Sequence, residues 1–239
     1  MPIGVFATAG AVLAGGFSGA AFGKYIKRQV VERLVSLFGI IAICFGILAV
    51  IKVEHLPAVV LSVVLGTLLG ELLNVERWLS KLGRGLERLT GALLPAARQE
   101  ASPERTGLMV SVLVMFCFTG TGIYGAMYSG ITGDHSLLLS KAVTDFFVAC
   151  LFGMQIGYVM MAVALPQAAC LLSLFYLARL IMPLIDNAVL MDFSSCGGML
   201  MIATGLRIAN IKDYHIGNML PAFVLVFPIS ALWTAVTGL

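Results

Sequence analysis

Eight apolar runs follow one another along this chain of 239 residues, and each is long enough to form a membrane-spanning helix. A spanning helix needs about 20 mostly apolar residues, and hydrocarbon forces it to satisfy its backbone polar groups internally. The runs are Ile3–Gly23, Leu34–Val53, Pro57–Leu73, Gly107–Tyr128, Ser136–Ala164, Pro166–Pro183, Ser194–Asn210 and Met219–Val236. The chain is therefore predicted to be an all-α polytopic membrane protein with about eight transmembrane helices.

The composition excludes an ordinary soluble domain. Hydrophobic residues make up 60% of the chain and charged residues 11%, with a mean hydropathy of +1.01, whereas soluble domains carry about 25% charged residues. We predict a single membrane domain over residues 1–239. Within it, residues 1–73 form a first repeat-like part, residues 74–105 a cytoplasmic amphipathic segment, and residues 106–239 a second part that contains a charged helix.

The positive charges orient the predicted helices. Most of the 15 Lys and Arg residues cluster after the first run, after the third run and at the end of the seventh. The clustered residues are Lys24, Lys27, Arg28, Arg33, Arg77, Lys81, Arg84, Arg88, Arg98, Arg105, Arg207 and Lys212. All of them fall on one side of the membrane if the N-terminus is outside, as the positive-inside rule requires. We therefore predict that both termini are outside, and that the basic residues orient the chain rather than bind nucleic acid.

The helix count depends on the stretch that begins at Ser136. Its first apolar run is longer than a bilayer needs, and no charge fixes the following connection inside. A kinked or re-entrant segment near Gly153–Gly157 would reduce the count to seven or six. The predicted range is therefore six to eight spanning helices, and eight is preferred.

The segment after the third run has an apolar and a basic face. Its apolar residues recur at spacings of three and four: Val75, Trp78, Leu79, Leu82, Leu86, Leu89 and Leu93. The other face carries Arg77, Lys81, Arg84 and Arg88. This pattern predicts an amphipathic helix that lies on the anionic inner surface of the membrane. The alternative is a helix that binds a cytoplasmic partner or acts as a gate.

Glycines recur every four residues in three of the runs. They are Gly15, Gly19 and Gly23, then Gly66 and Gly70, then Gly153 and Gly157. Small residues at this spacing allow helix backbones to approach closely in lipid. The pattern predicts helix–helix packing within the lipid bilayer, and the same faces permit a homodimer.

Two segments of the chain resemble each other. The sequence GIIAICFG, with Gly39 and Gly46, is followed by Pro57, and the sequence GMLMIATG, with Gly198 and Gly205, is followed by Pro221. In the predicted topology the second and seventh helices cross the membrane in opposite directions. The similarity indicates an inverted repeat of the kind found in secondary transporters. Chance similarity between two Gly-rich helices is the alternative.

The fourth run is interrupted by small and hydroxyl-bearing residues. Thr119, Thr121 and Tyr124 lie among three glycines within seven residues. Such a sequence weakens a helix, and a break at membrane depth is tolerated only where it is buried in protein or lines a cavity. The alternative is an intact, tightly packed helix whose threonines bond back to their own turn. Both alternatives remain open at the level of sequence.

Lys141 and Asp145 are the most informative charged residues. They lie four apart in an apolar run, and residues four apart share a helix face. Intramembrane charges are costly and survive when they are paired or line a wet cavity. The lysine is long enough to reach toward the outer surface, whereas the aspartate is too short, so Asp145 is the sharper signal of a functional site. The alternative is an ion pair that only fixes helix packing.

Further polar residues complete the predicted site for a small solute or ion. Together with Lys141 and Asp145, the predicted binding residues are Thr119, Thr121, Tyr124, Gln155 and Asp134. Asp134 is also placed at the cap of the charged helix, and Asp192 is assigned to an outer loop. The spacing of the five cysteines and three histidines indicates no metal site. We therefore predict no metal, no cofactor and no enzymatic activity.

Several motifs resemble the YqgA-type family of bacterial inner-membrane proteins along nearly the whole chain. They are LSVVLGTLLGELL, GITGDHS, LLLSKAVTD and GGMLMIATGLRI. The family is classed as a domain of unknown function, so the resemblance implies an inner-membrane location and topology, with periplasmic termini, but no substrate. From the residues we predict a small-solute or ion transporter or channel built around Lys141 and Asp145. The alternative is a non-transporting scaffold or regulator in which this pair is structural.

Overall fold

Helices form nearly all of the chain that the structure describes. The computed structural model describes residues 1–93, 103–181 and 186–237, and no strand occurs in these ranges. The helices are α1 (Ile3–Gly23), α2 (Arg28–Val50), α3 (Leu56–Leu73), α4 (Val75–Leu93), α5 (Pro103–Cys117), α6 (Gly120–Thr132), α7 (Ser136–Ile156), α8 (Val159–Ala162), α9 (Ala164–Ile181), α10 (Asn187–Ile208) and α11 (Ala222–Thr237). A short 3₁₀ helix, Ile216–Met219, precedes α11. The predicted all-α class is confirmed.

Eight segments of the described chain are long and apolar enough to cross a membrane, which confirms the predicted count. The fourth span joins α5 to α6, the sixth joins α8 to α9, and the eighth joins the 3₁₀ helix to α11. Large apolar side chains point outward; Leu68 is 56% exposed, Phe147 63% and Val224 71%. An apolar exterior of this extent is suited to lipid rather than to water.

The uncertain stretch after Ser136 breaks at Gly157. α7 ends at Ile156, and Gly157 has φ 71° and ψ −154°, a conformation that is essentially confined to glycine. The chain then passes through the single turn of α8 into α9. The break therefore shortens the predicted fifth helix without removing a span. Gly157 forms a turn instead of the helix packing predicted for it.

α1 and α7 pack side by side with their backbones in contact. Gly15 lies against the backbone of Phe146, and Gly19 lies against the backbone of Cys150. These contacts advance by four residues on both helices, so the two helices run parallel. A Cβ on either glycine would overlap α7. The predicted packing role of Gly15 and Gly19 is confirmed.

α2 and α10 run antiparallel and meet through a reciprocal set of glycines. A Cβ built on Gly46 would lie 2.6 Å from the carbonyl oxygen of Gly198, and one built on Gly198 would lie 2.7 Å from that of Gly46. Gly39 and Gly205 make the same contact, at 2.7 and 2.5 Å. These are the four glycines of the two similar segments. Each contacts the non-equivalent glycine of the other segment, as a two-fold axis between identical surfaces requires.

α4 is the predicted amphipathic helix. Leu86 and Thr90 are buried, whereas the basic residues of the other face are exposed; these are Arg77, Lys81, Arg84 and Arg88. The ammonium of Lys81 lies 4.8 Å from the ring centroid of Trp78, which is 67% exposed. A helix with this division of side chains suits a membrane surface. The rest of the predicted segment, residues 94–102, lies outside the described residues.

The segments that carry the clustered positive charges meet at one end of the bundle. Arg105 donates to the carbonyl oxygen of Ile156 at the end of α7, and Arg207 donates to Glu76 at the start of α4. The start of α1 packs instead against the start of α7, through Gly4. Successive spans therefore alternate in direction as the charge pattern predicts. The compartment that each end faces remains a prediction.

The contact between α2 and α10 predicts a strong effect of a single substitution at Gly198. We expect Gly198→Val to lower the free energy of unfolding by about 3 kcal/mol, because a side chain forced against a backbone carbonyl cannot move away. Thermal unfolding in detergent, followed by intrinsic fluorescence, measures the change. Gly10→Val is the matched control, since a Cβ at Gly10 meets nothing within 4 Å. Equal melting temperatures for the two variants would contradict the close contact.

Candidate functional site

The fourth span is broken near its centre. α5 ends at Cys117 and α6 begins at Gly120, within a span that runs from 105 to 132. Thr119 between them has an extended backbone (φ −87°, ψ 139°), and its hydroxyl accepts a hydrogen bond from the N–H of Gly122 at 3.3 Å. Thr119 is thus the N-cap of α6. Of the two alternatives left open by the sequence, the structure has the broken helix.

Asp145 is the acceptor at the centre of a buried polar group. The Lys141 ammonium donates to both carboxylate oxygens, at 2.7 and 2.8 Å, and the side-chain amide of Gln167 donates to Oδ2 at 2.7 Å. Lys141 is 9% exposed, Asp145 6% and Gln167 0%. Asp145 lies roughly 13 Å along α7 from its first residue, at about 1.5 Å per residue. The Lys–Asp pair therefore lies deep within the span, and Gln167 of α9 extends it.

Lys141 contacts both halves of the broken span. Its Cε atom and the Thr119 hydroxyl oxygen lie 2.9 and 2.8 Å from the position that a Cβ on Gly122 would occupy. A side chain at position 122 would therefore displace the lysine from the first turn of α6. On the other half, the ammonium lies 5.9 Å from the ring centroid of Phe116 in α5. The charged pair and the helix break thus form one site.

α9 closes the site with a polar face. Gln167 and Cys170 are three residues apart and lie on the same side of the helix. The Cys170 thiol donates to the carbonyl oxygen of Cys117, the last residue of α5, at 3.6 Å. The side-chain Oε1 of Gln167 is buried without a hydrogen-bond partner. Buried polar atoms are nearly always hydrogen-bonded, so this oxygen is an exception. It is an unused acceptor beside Asp145.

The other predicted site residues are exposed rather than buried with the pair. Thr121, Tyr124 and Gln155 lie on the outer surface of their helices. Asp134 lies just before the N-cap residue His135, and its carboxylate accepts a hydrogen bond from the N–H of Ser136, the first residue of α7, at 2.9 Å. That hydrogen bond lowers the pKa of the Asp134 carboxyl. The hydrogen bond is therefore intact at neutral pH and weakens as the pH falls through the lowered pKa.

A second buried carboxylate lies on α10. Asp192 is 0% exposed, and its Oδ1 accepts from the backbone N–H groups of Glu54 and His55, at 3.1 and 2.8 Å. Its Oδ2 bonds to His55 Nδ1 at 2.8 Å and to the Ser230 hydroxyl at 2.5 Å. The prediction that Asp192 belongs to an outer loop is wrong, because α10 begins at Asn187 and includes it.

Sequence reasoning misses Gln167 and Asp192 for the same reason. Each is a single polar residue near the end of an apolar run, where a position at the membrane surface explains it equally well. The partners of Asp192, His55 and Ser230, lie in two other parts of the chain and give the only further indication that Asp192 is buried. Only the fold brings the three together.

The first turn of α6 lies between α7 and α10. On one side Gly122 contacts Lys141. On the other side, the hydroxyl oxygen of Ser194, two residues after Asp192 in α10, lies 2.9 Å from the Cβ position of Gly120. A break in the middle of the fourth span thus contacts both α7 and α10.

The two carboxylates differ in what their partners can do. Asp145 is held by side chains only, and the lysine has a flexible four-carbon stem. Asp192 is held partly by backbone N–H groups at the start of α3, which cannot turn to another acceptor. Asp145 is therefore suited to exchange partners, and Asp192 to fix the α2–α3 connection against α10. In the described ranges, no three His, Cys, Asp or Glu side chains are grouped as metal ligands.

At the charged end of the bundle, Glu76 joins α4 to the end of α10. Its carboxylate accepts from Arg207 at 2.8 Å and from the N–H of Gly217 at 2.6 Å, while the Asn218 side chain accepts from the Glu76 N–H at 2.7 Å. Arg207 thus bridges α10 and α4. Beside the bridge lies a polar cleft of about 450 Å³, lined by Glu71, Asn74, Glu76, Arg77, Ser80, Lys81, Arg84, His215 and Asn218.

Comparison with known proteins matches nearly the whole chain to one family. The family model described as "Protein of unknown function (DUF554)" matches residues 3–231. The "Uncharacterized protein YqgA" of Escherichia coli is 38% identical over 235 residues, which is 98% of this chain and 99% of that protein. The "Uncharacterized membrane protein YdfK" of Bacillus subtilis is 26% identical over 220 residues, covering 90% and 89% of the two chains. No solved structure matches.

Asp192 is expected to be a major stabilising residue. In Asp192→Ala the two backbone N–H groups, the imidazole and the Ser230 hydroxyl lose their buried acceptor, so we expect the free energy of unfolding to fall by about 3 kcal/mol. Thermal unfolding in detergent measures this. Asp186→Ala is the matched control, because Asp186 is exposed and makes no side-chain cap bond at the start of the same helix. A small effect at Asp192 would show that its hydrogen bonds are not stabilising.

Proposed function

Because the chain belongs to the DUF554 family, whose model describes only proteins of unknown function, we propose its role from its own site: a transporter or channel for small solutes or ions. Lys141 and Asp145 are the central charged groups, and Thr119 and Gln167 are their polar neighbours. The bacterial inner membrane is its proposed location, with both termini in the periplasm. This rests on the charge pattern, since the relatives' names mention at most a membrane.

One observation carries the proposal: a buried Lys–Asp pair contacts a helix that is broken at membrane depth. A charged side chain at the centre of a spanning helix costs about 3 kcal/mol on insertion. Replacing a buried ion pair by apolar residues is often neutral or stabilising by about 1–4 kcal/mol. Packing alone therefore gives little physical reason for the pair, whereas charged groups inside the membrane are typical of ion and substrate pathways.

The broken span supports the same function. A helix that is interrupted at membrane depth exposes unpaired carbonyl groups at one end and unpaired N–H groups at the other. Transporters use such ends to bind ions and charged substrate groups. Here the two ends belong to α5 and α6 and lie beside Lys141. Both kinds of binding group are thus available at one point.

The contact between α2 and α10 supports an inverted repeat as part of the proposal. The two similar segments pack through the glycines that they share, and each glycine contacts the non-equivalent glycine of the other segment in a reciprocal, antiparallel arrangement. A duplicated segment that is inserted in the opposite direction produces this kind of contact. Rocking of such halves about a central site is a common transport mechanism.

A second candidate function is a membrane scaffold or regulator. Two observations favour it: every polar contact of Asp145 is with another side chain of the same bundle, and the basic face of α4 is exposed. In this function α4 binds an acidic partner or lipid surface, and the Lys–Asp pair only holds helices together. The two functions differ in whether water reaches the pair.

Water access to Thr119 tests the proposal without knowledge of the substrate. In a variant whose five cysteines are replaced, we expect Thr119→Cys to react with a membrane-impermeant maleimide at least about tenfold faster than Thr144→Cys. The reason is that only a hydrated thiol ionises and reacts. Thr144 is the matched control, because it is exposed on the bilayer-facing surface of α7. Labelling of the purified protein in lipid vesicles measures both rates.

Slow labelling of Thr119→Cys in folded protein, at a rate equal to that of Thr144→Cys, would contradict transport through this site and favour the scaffold. Folding of both variants is checked by their melting temperatures in detergent. Labelling after the vesicles are permeabilised exposes both membrane faces, so the result does not depend on the orientation of the protein.

A further inference from the structure

Building on the proposed transport function, we infer that the site beside the helix break binds a small monoanion together with one proton. The anion is held between the first turn of α6 and the Lys141 ammonium, and the proton is held on Asp145. Three features carry this inference: the N–H groups of α6, the exchangeable partner of the ammonium, and the unused acceptor on Gln167.

The first turn of α6 offers the anion its hydrogen bonds. The first N–H groups of a helix have no acceptor within it, and the helix dipole adds about +0.5 of a charge there. Thr119 accepts only from the N–H of Gly122, which leaves the N–H groups of Gly120 and Thr121 without an intrahelical acceptor. α6 has 13 residues, enough for a substantial dipole. Anions commonly bind at such helix ends.

The Lys141 ammonium supplies the full positive charge. Its stem passes the first turn of α6 at Gly122, which brings the ammonium close to the N–H groups of that turn. The ammonium has three donors and bonds to the two oxygens of Asp145. A small shift along its flexible stem would move it from the carboxylate to an anion. The site is thus able to exchange an internal carboxylate for an external anion.

Charge balance requires a proton to accompany the anion. The empty site is neutral, because one ammonium faces one carboxylate. An added monoanion would leave a net negative charge at membrane depth, which the low-dielectric surroundings strongly disfavour. Protonation of Asp145 removes that charge: Lys141 stays an ammonium, pairs with the anion, and the carboxylate becomes a neutral acid. The loaded site is then neutral as well.

Gln167 is suited to both protonation states of Asp145. Toward the carboxylate its amide N–H₂ donates, as observed at 2.7 Å. Toward a carboxylic acid its Oε1 can accept the acid proton after rotation of the amide, and this oxygen is buried without a partner. An amide is the side chain that offers both a donor and an acceptor in one plane. A lysine or arginine in its place would bind only the carboxylate.

The surroundings of Asp145 contain few other groups that could take up the proton. Its own helix contributes Lys141, α9 contributes the thiol of Cys170, and α5 contributes the thiol of Cys117, which interacts electrostatically with the pair. Gln167 and the Phe116 ring complete the nearby polar and aromatic groups. Among these, the carboxylate is the base that has to be neutralised when the ammonium changes partner.

Calorimetry of the detergent-solubilised wild-type protein tests the inference. Chloride, nitrate and glycolate are titrated as salts of N-methylglucamine at pH 7, in two buffers that differ in ionisation enthalpy. We expect at least one of these anions to bind with the uptake of about one proton. The affinity for that anion then falls about tenfold for each unit by which the pH rises, as long as Asp145 is ionised in the empty site. Binding of an anion without proton uptake would overturn the inference, and so would the absence of binding by all three.

Asp145→Asn separates a binding role from a structural one. An asparagine mimics the protonated acid, so we expect this variant to bind the same anion at least as tightly as wild type, without proton uptake and with one affinity from pH 6 to pH 8. Asp186→Asn, which changes an exposed carboxylate, is expected to keep the wild-type proton uptake. Proton uptake that persists in folded Asp145→Asn would show that another group takes the proton. If Asp145→Asn does not fold, the wild-type titration decides.

The inference and the proposed function fail in different ways. If Thr119→Cys is labelled from water but no anion binds with a proton, transport through the site stands and its substrate is of another class. If Thr119→Cys is labelled no faster than Thr144→Cys, the proposed function itself fails, and the monoanion with it. If both are correct, we expect the bound anion to protect the site. At an anion concentration about 100-fold above its Kd, the maleimide should then label Thr119→Cys more slowly than it does without the anion.

Discussion

Close contact between helix backbones at glycines determines how the rest of this protein is arranged. Lipid provides no hydrophobic force between helices, so they associate through tight packing and hydrogen bonds. Gly15 and Gly19 press α1 onto one face of α7, and the Gly46–Gly198 contact presses α2 onto one face of α10. The remaining faces of α7 and α10 then meet the first turn of α6. The glycine contacts thus position the polar side chains on those faces, although the polar side chains themselves do not make these contacts.

The features that follow from local pattern were predictable from the sequence. The lengths of the apolar runs predict eight spans, and the spacing of the glycines predicts the helix packing of Gly15 and Gly19. The division of α4 into an apolar and a basic face predicts an amphipathic helix. The break at Thr119 was one of two open alternatives, because a sequence shows that a helix is weak but not whether its surroundings open it. The approach of Lys141 to Gly122 supplies those surroundings, and it comes from another helix.

The parts that could not be predicted depend on contacts between distant residues. Asp192 and His55 are 137 positions apart, and each alone is a polar residue at a helix end. Gln167 resembles Gln155 in the sequence, yet one is buried against Asp145 and the other is exposed. The rotation of a helix about its axis decides between such outcomes. When most of the helix surface is apolar, any of its faces can be turned toward lipid. Hydropathy therefore does not specify the rotation of the helix about its axis.

The positions of the two carboxylates suggest why only one would take part in transport. A carboxylate that is bound by backbone N–H groups is tied to the fold, so Asp192 can give up these partners only if the α2–α3 connection moves away from α10. Asp145 is tied to side chains, and its ammonium lies beside a helix end that attracts anions. Both sites are built around a buried negative charge, and the partner of Asp145, Lys141, lies against the first turn of α6. Asp145 is held by side chains and Asp192 partly by backbone. This difference would allow the Asp145 site to change its occupant while Asp192 keeps α10 in place.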